Sequence, residues 1–215
     1  MNQDNSPNLS DAVQCDVSRE TLHRMERYAA HLLRWTEKIN LIARAERSHL
    51  WQRHITDSAQ IFPLRKTGTR HWVDLGSGGG LPGLVNAILA AEMAPDIHFT
   101  LIESDKRKAA FLRMIAAELG LDTTVLAHRA EDVPALAADT LTARAVSPLR
   151  HLLGLAALHL GPAGRALLPK GRRAEAEMQE ARQHWDCDIL STPSILDPGS
   201  SILQIENIRP GKASS

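Results

Sequence analysis

Asp74, Glu103, Glu131 and Arg144 are the side chains whose settings suggest chemistry. Asp74 stands two residues before Gly76, the first of five glycines within eight positions: Gly76, Gly78, Gly79, Gly80 and Gly83. Such a run lets the backbone take positive φ and lets a ligand come close. Trp72, Val73 and Leu75 before it read as a short buried strand. Pro82 after it opens an apolar stretch with helical spacing, residues 84–93. Strand, glycine bend and helix start make a cradle, with unpaired helix N–H groups aimed at whatever it holds.

The details choose the ligand. Gly78, Gly80 and Gly83 spell GxGxxG, and Glu103 follows at a ribose-binding distance, which is the dinucleotide pattern. No Gly-Lys-Ser/Thr follows, so a P-loop is excluded. Asp74 is more telling, because a carboxylate there would repel a pyrophosphate held on the helix N-terminus. It favours a ligand with a cationic amino group or a sulfonium, and S-adenosylmethionine (SAM) fits better than NAD. Glu103 can then accept the ribose hydroxyls. Ala130 can offer a backbone N–H to the adenine, and Glu131 or Asp132 can accept from its amino group. Arg144 lies among apolar Ala143, Ala145 and Val146, a costly place for an unpaired cation. It is expected to pair with Asp74, Glu131 or a ligand carboxylate.

Other chemistries fit less well. His49 and His54 are five apart and no Cys/His set completes a metal site, so no metal is expected. Leu75 stands where a GxSxG elbow needs its first glycine, which removes hydrolase chemistry. His54 alone is kept as a substrate-side candidate, against a capping or structural role.

These residues need a frame. The 215-residue chain carries 25 basic and 25 acidic residues and is 43% apolar, enough for one domain with a real core. It lacks an apolar run long enough to span a membrane and shows no signal pattern. Cys15 and Cys187, far apart, suggest no disulfide, and a reducing cytoplasm is the simplest compartment. Residues 1–17 read as a disordered lead-in, 18–66 as a helical extension and 67–210 as the main domain. Helices are expected over 18–43 and 48–61. Beyond the glycines, strands over 98–103, 123–127, 140–146 and 165–168 alternate with helices over 105–119, 147–160 and 174–184. Late strands follow over 187–190 and 201–208. This alternation predicts an α/β fold with a doubly wound, mostly parallel sheet. Asp74, Glu103, Ala130, Glu131 and Arg144 then fall on the rim at the strands' carboxyl ends, where such sheets bind ligands.

Longer motifs sharpen this. WTEKINL (35–41), RHITDS (53–58), VDLGSGGGLPG (73–83), LIESDKRKAAFL (101–112), RAEDV (129–133), ARAVSPL (143–149) and LPKGR (168–172) are present. On these the chain resembles the bacterial 16S rRNA guanine-N7 methyltransferase G family, also called the glucose-inhibited division protein B family. The likeness runs from about residue 19 to 208. It implies the Rossmann-like, class I, SAM-dependent methyltransferase fold, with a seven-stranded sheet and an N-terminal helical extension. It implies SAM as methyl donor, with Gly76, Leu81, Ala130, Glu131 and Arg144 as cofactor positions and Glu103 as ribose acceptor. Asp74 and Gly78 complete the expected cofactor set. Where the family often has NLT, this chain has Asn40, Leu41 and Ile42, and Leu81 stands where Phe is also common.

The implied acceptor is guanine N7 in a decoding-region loop of 16S rRNA. N7 carries a lone pair and no proton, so no general base is needed. In-line alignment can supply on the order of 7–11 kcal/mol. His54, Arg144 and Lys170 are the substrate-side candidates. The deep groove of an RNA helix hides N7, so the base must lie in a loop or be splayed out. Arg53, Lys106, Arg107, Lys108, Arg113, Lys170, Arg172 and Arg173 would hold phosphates. Trp35 and Trp51 are candidate stacking platforms, with core packing the alternative. The expected partner is 16S rRNA or the small ribosomal subunit, met by a monomer. The competing readings are another SAM enzyme, an NAD oxidoreductase, and a non-catalytic ribosome-binding factor.

Overall fold

The computed structural model describes residues 8–144 and 147–211. Seven strands form one sheet in the order β3-β2-β1-β4-β5-β7-β6. They are β1 (His71–Leu75), β2 (His98–Ile102), β3 (Thr123–Leu126), β4 (Ala138–Ala143), β5 (Leu160–Lys170), β6 (Trp185–Pro193) and β7 (Ser201–Pro210). β1 pairs in parallel with both β2 and β4, while β7 runs antiparallel between β5 and β6. The chain winds outward from β1 to β3 and then returns to β4. The strand order therefore reverses between β1 and β4, the place where doubly wound sheets hold ligands.

Alternation along β1 sorts the core into two layers. Trp72 faces the layer containing Phe99, Leu101, Phe111 and Ile115, whereas Val73 and Leu75 face the layer of Leu141, Leu152, Leu168 and Ile205. The helices α4 (Gly83–Met93) and α5 (Lys106–Leu119) belong to the first layer and α6 (Leu149–His159) to the second. Asp105 caps α5 by accepting from the N–H groups of Arg107 and Lys108, and Gly120 ends it with φ +64°. Every residue of α4 from Gly83 to Ala90 is buried. A helix apolar all round needs cover on both sides, and α2 (Arg19–Thr36) supplies the outer cover through Met25, Tyr28 and Leu32, none exposed at all. The extension is thus a third layer over α4.

Several elements differ from expectation. The lead-in is in part ordered, because α1 (Leu9–Val13) carries an Asn8–Asp11 capping box and buries Leu9, Ala12 and Val13; residues 1–7 lie outside the described chain. α2 stops at Thr36, whose hydroxyl bonds back to the Leu32 carbonyl, so that Ile39 and Ile42 can turn into the core. The expected helix over 48–61 is broken into a 3-10 turn (Arg44–His49), a π turn (Trp51–Thr56) and a short α turn, α3 (Asp57–Ala59). β4 begins two residues early, and the end of its expected span, Ala145 and Val146, lies outside the described residues. α7 (Ala174–Ala181) is shorter than expected, and β5 and β6 are longer. No helix of the described residues is long and apolar enough to cross a membrane.

The Tyr28 hydroxyl, buried in α2, donates to the Gly79 carbonyl at 2.8 Å. Burial pushes its ionisation well above the ordinary tyrosine range, so it remains a donor. Tyr28→Phe should leave that carbonyl unpartnered and lower stability by about 1–2 kcal/mol. Urea unfolding followed by fluorescence checks this, and an unchanged midpoint would contradict it.

Candidate active site

The bend after β1 has one side chain of its own, Ser77, so neighbours hold most of it. The Gly78 N–H donates to Glu103 Oε2 at 2.8 Å, and the Ser77 N–H donates to the Ile102 carbonyl at 3.0 Å. Gly76 takes φ +62°, a conformation that side chains resist. Beside it lies a cavity of about 200 Å³ lined by Leu75, Gly76, Ile102, Ser104, Ala130 and Glu131, among others. The structure therefore brings Gly76, Ala130 and Glu131 to one cavity. Glu103 lies between the lining residues Ile102 and Ser104 but is not itself part of the lining; it is almost buried, with Oε1 accepting from the Asp105 N–H at 2.7 Å. A carboxylate offers about four lone-pair sites, so two remain for ribose hydroxyls. Glu131 projects outward near Arg129 and His151, at 3.6 and 3.4 Å. Its own backbone N–H, then Arg129 and His151 beside it, hold its carboxyl below the usual range.

The Ala130 turn has a support that periodicity did not reveal. His159, at the end of α6 and wholly buried, has Nε2 2.9 Å from the Ala130 carbonyl. A carbonyl only accepts, so the proton is on Nε2, while Nδ1 faces no partner. Burial lowers the pKa of the ring and keeps it neutral. The only sign in the sequence was a histidine closing the apolar run over 152–158.

Asp74 departs from expectation. It does not face the cavity; it is fully buried beneath the bend, on the Trp72 side of β1. Its Oδ1 accepts from the Thr142 hydroxyl at 2.6 Å, and that hydroxyl in turn accepts from Trp72 Nε1 at 3.1 Å. Oδ2 has no hydrogen-bond partner and lies 2.6 Å from where a Cβ on Gly83 would sit. Any side chain at Gly83 would strike it, which explains a glycine at the helix start. Burial raises the Asp74 carboxyl to about 6, against the opposing bonds from Thr142 and Ser77 and the charge of Arg144. A buried carboxylate with an unpartnered oxygen suits a cationic ligand group held above it. With the ribose acceptors of Glu103 and the bare Gly76 wall, the residues present fit SAM. Leu81 packs in the core under the bend and contributes no wall of this cavity.

Arg144 also finds other partners than expected. Its Nη1 lies 3.4 Å from Asp57 Oδ2 and its Nη2 lies 3.1 Å from His54 Nδ1. Asp74 and Glu131 are not paired with it. A guanidinium can only donate, so His54 Nδ1 must carry the lone pair and Nε2 the proton. Nε2 lies 3.1 Å from Glu46 Oε2. Burial, then Arg144, holds the His54 pKa below the ordinary value and keeps the ring neutral. Burial raises Asp57, against Arg144 and Gln60. The broken helical turns make this possible, since they aim His54 and Asp57 at one guanidinium. RHITDS contained both residues, but Asp57 was not singled out.

Two larger cavities flank Arg144. One, of about 850 Å³, includes Asp57, Ser147, Pro148, Lys170 and Arg173; the other, of about 770 Å³, includes Arg53, His54, Arg172 and Asp197. Lys170 is not a free phosphate ligand: its ammonium lies 2.8 Å from Glu177 Oε2 and 3.3 Å from the Ser147 carbonyl. Arg53, Arg172 and Arg173 are exposed, as are Lys106 and Arg107 at the start of α5, with Lys108 half-buried. Arg107 pairs with its neighbour Asp105, and Arg113 donates to the Val125 carbonyl. Trp35 packs against Phe111 in the core, while Trp51 is exposed.

Two outcomes follow. Because the folded carboxyl of Asp74 lies above its unfolded value, the folded state holds the extra proton between pH 4 and pH 6. Its contribution to stability is therefore present at low pH and lost as pH rises through about 6. Relative to the wild type, Asp74→Asn should gain about 2 kcal/mol between pH 4 and pH 7, read by denaturant unfolding at each pH. His159→Leu should weaken SAM binding and lower stability by about 1–2 kcal/mol, whereas His159→Gln, which keeps an N–H donor, should recover part of both. Calorimetry and thermal unfolding measure the two effects.

Known proteins share the sequence and the fold of this chain. The family model described as rRNA small subunit methyltransferase G matches residues 21–199. A ribosomal RNA small subunit methyltransferase G from Rhodospirillum centenum is 50% identical over 194 residues, covering 90% of this chain and 88% of that protein. One of the same name from Cereibacter sphaeroides is 48% identical over 191 residues, covering 89% and 92%. Among solved structures, a SAM-dependent methyltransferase from Aquifex aeolicus superposes with a TM-score of 0.54 at 12% identity, covering 74% of this chain and 92% of that one. The TYW2 protein of Pyrococcus horikoshii, solved in complex with MeSAdo, gives 0.52 at 13% identity, covering 74% and 63%. Those likenesses speak for the fold, and the curated relatives speak for more: this chain belongs to the rRNA small subunit methyltransferase G family.

Proposed function

We propose that this chain methylates N7 of a guanine in a decoding-region loop of 16S rRNA, using SAM. Family membership carries the coarser statement, that it is a SAM-dependent methyltransferase of small-subunit rRNA. The observation that supports the finer one is the set of groups around Arg144. Among the described residues lining the two cavities, the one imidazole, His54, has its lone pair turned to a guanidinium and its Nε2 3.1 Å from Glu46 Oε2. Asp57 is bound to Arg144 and Gln60, and Lys170 to Glu177. The histidine and the lysine of this site are so committed that neither is a ready base, which suits an acceptor nitrogen that has no proton to lose.

When bound, SAM supplies an electrophilic methyl on a sulfonium. Glu103 would accept the ribose hydroxyls, and the Ala130 turn would meet the adenine. Buried Asp74 would favour the cationic end from beneath. Arg144 would orient the carboxylate end or the incoming nucleotide. Arg53, Arg172 and Arg173 would hold phosphates without reading sequence. The protein would act as a monomer in the cytoplasm, where its substrate is.

The direct test incubates labelled SAM with small subunits lacking the modification. Label should appear in 16S rRNA, with borohydride and aniline cleaving at one guanine. Label confined to protein or small molecules would reject the reading. Changing Arg172 and Arg173 to Glu should weaken RNA binding at least tenfold and reduce its salt dependence, while SAM affinity stays within twofold. Equal loss of both would show that the two arginines do not serve RNA.

A further inference from the structure

Resting on that reading, we propose that Glu46 reads the target base, accepting the N1–H and the N2 amino group of guanine in the cavity beside Arg144. The cavity of about 850 Å³ is lined by Glu46, Asp57, Arg144, Ser147 and Pro148, and Ser147 also lines the cofactor cavity. A base seated there would adjoin the cavity read as the SAM site. Glu46 also lines the neighbouring cavity that holds Arg53 and Arg172. It therefore stands where a strand gripped by those arginines would enter.

The acceptor's chemistry dictates which edge can be read. N7 and the adjoining O6 must face the methyl group, so recognition has to come from the opposite edge. That edge of guanine presents donors, N1–H and the N2 amino group, and a flipped base is commonly read there. The site must supply an acceptor. Among the described carboxylates of the cavity, Asp57 already accepts from Arg144 and Gln60. Glu177 accepts from Lys170 and the Leu149 N–H, and Glu180, near the end of α7, is exposed to solvent. Glu46 is half-buried, and its one partner is His54 Nε2, 3.1 Å from Oε2. That partner is neutral, so the charge of Glu46 is oriented but not cancelled, and Oε1 is uncommitted. Adenine would turn its N1 lone pair towards this carboxylate and be repelled, which gives discrimination.

Glu46 also does more in the transition state than in the ground state. The N7 lone pair forms a bond to the methyl carbon as the carbon–sulfur bond breaks and its electrons return to sulfur. The purine ring takes up the positive charge and no proton leaves. Its N1–H becomes a stronger donor, so the bond to Glu46 tightens as the reaction proceeds. An interaction that strengthens in this way speeds the chemical step.

The test uses the full-length protein with an rRNA substrate carrying guanosine or inosine, which lacks the N2 amino group, at the target position. Single-turnover rates are read at saturating SAM, with SAM affinity measured by calorimetry. Glu46→Ala should slow methylation of the guanosine substrate by about 10²-fold and leave SAM affinity within twofold. Inosine should slow the wild type about tenfold but should not slow Glu46→Ala further, because the lost partner is shared. A Glu46→Ala rate equal to wild type, losses that multiply independently, or a fall in SAM affinity as large as the fall in rate would each overturn the assignment. If wild-type protein fails to label rRNA at all, the failure belongs to the proposed function and not to Glu46.

Discussion

A glycine bend that admits a ligand cannot hold its own shape, and the rest of this structure answers that constraint. The bend is pinned by groups from distant parts of the chain. Tyr28 of α2 holds the Gly79 carbonyl, Glu103 after β2 holds the Gly78 N–H, and the Ile102 carbonyl takes the Ser77 N–H. The Ser77 hydroxyl closes the bend onto the Asp74 carbonyl at 3.0 Å. Each bond replaces contacts that side chains would have made. The front helix matters for this reason: it covers α4 and also reaches the bend itself.

Buried charge is the second organising force. Asp74 lies wholly inside, with one oxygen tied to Thr142 and the other unpartnered. Its raised pKa is the sign of a carboxylate kept at a cost to stability, which is common where a site needs a charge more than the fold does. Arg144 is treated in the opposite way, with partners on two sides and a neutral histidine as one of them. Arranged in sequence, Glu46, His54, Arg144 and Asp57 alternate acid, neutral ring, cation and acid. Such an order keeps each group oriented, and its Arg144–Asp57 ion pair, at 3.4 Å, stays partly exposed, which limits the desolvation that offsets its attraction.

The fold was legible where the hydrophobic period was clean. The alternation of strands and helices after residue 70, the bend at Gly76 and the acid ending β2 all stand where the sequence placed them. The front third was less legible. The region over 48–61 carries a helical apolar period, yet it breaks into 3-10, π and α turns. Periodicity cannot register that break, because the same apolar residues face inward in either form. The gain from the irregular turns is polar: they bring His54 and Asp57 to a single guanidinium, and π turns often occur where function asks for such aim.

By itself, the sequence determined the architecture and the candidate ligand rim, since both rest on local spacing: period, glycine run and strand-end acids. Only the tertiary structure decided who meets whom across it. It paired Arg144 with His54, 90 residues away, rather than with Asp74 or Glu131. It turned Asp74 under the bend, placed His159 behind the Ala130 turn and tied Lys170 to Glu177. Covalent spacing governs the first kind of fact, and the packing of layers against one another governs the second.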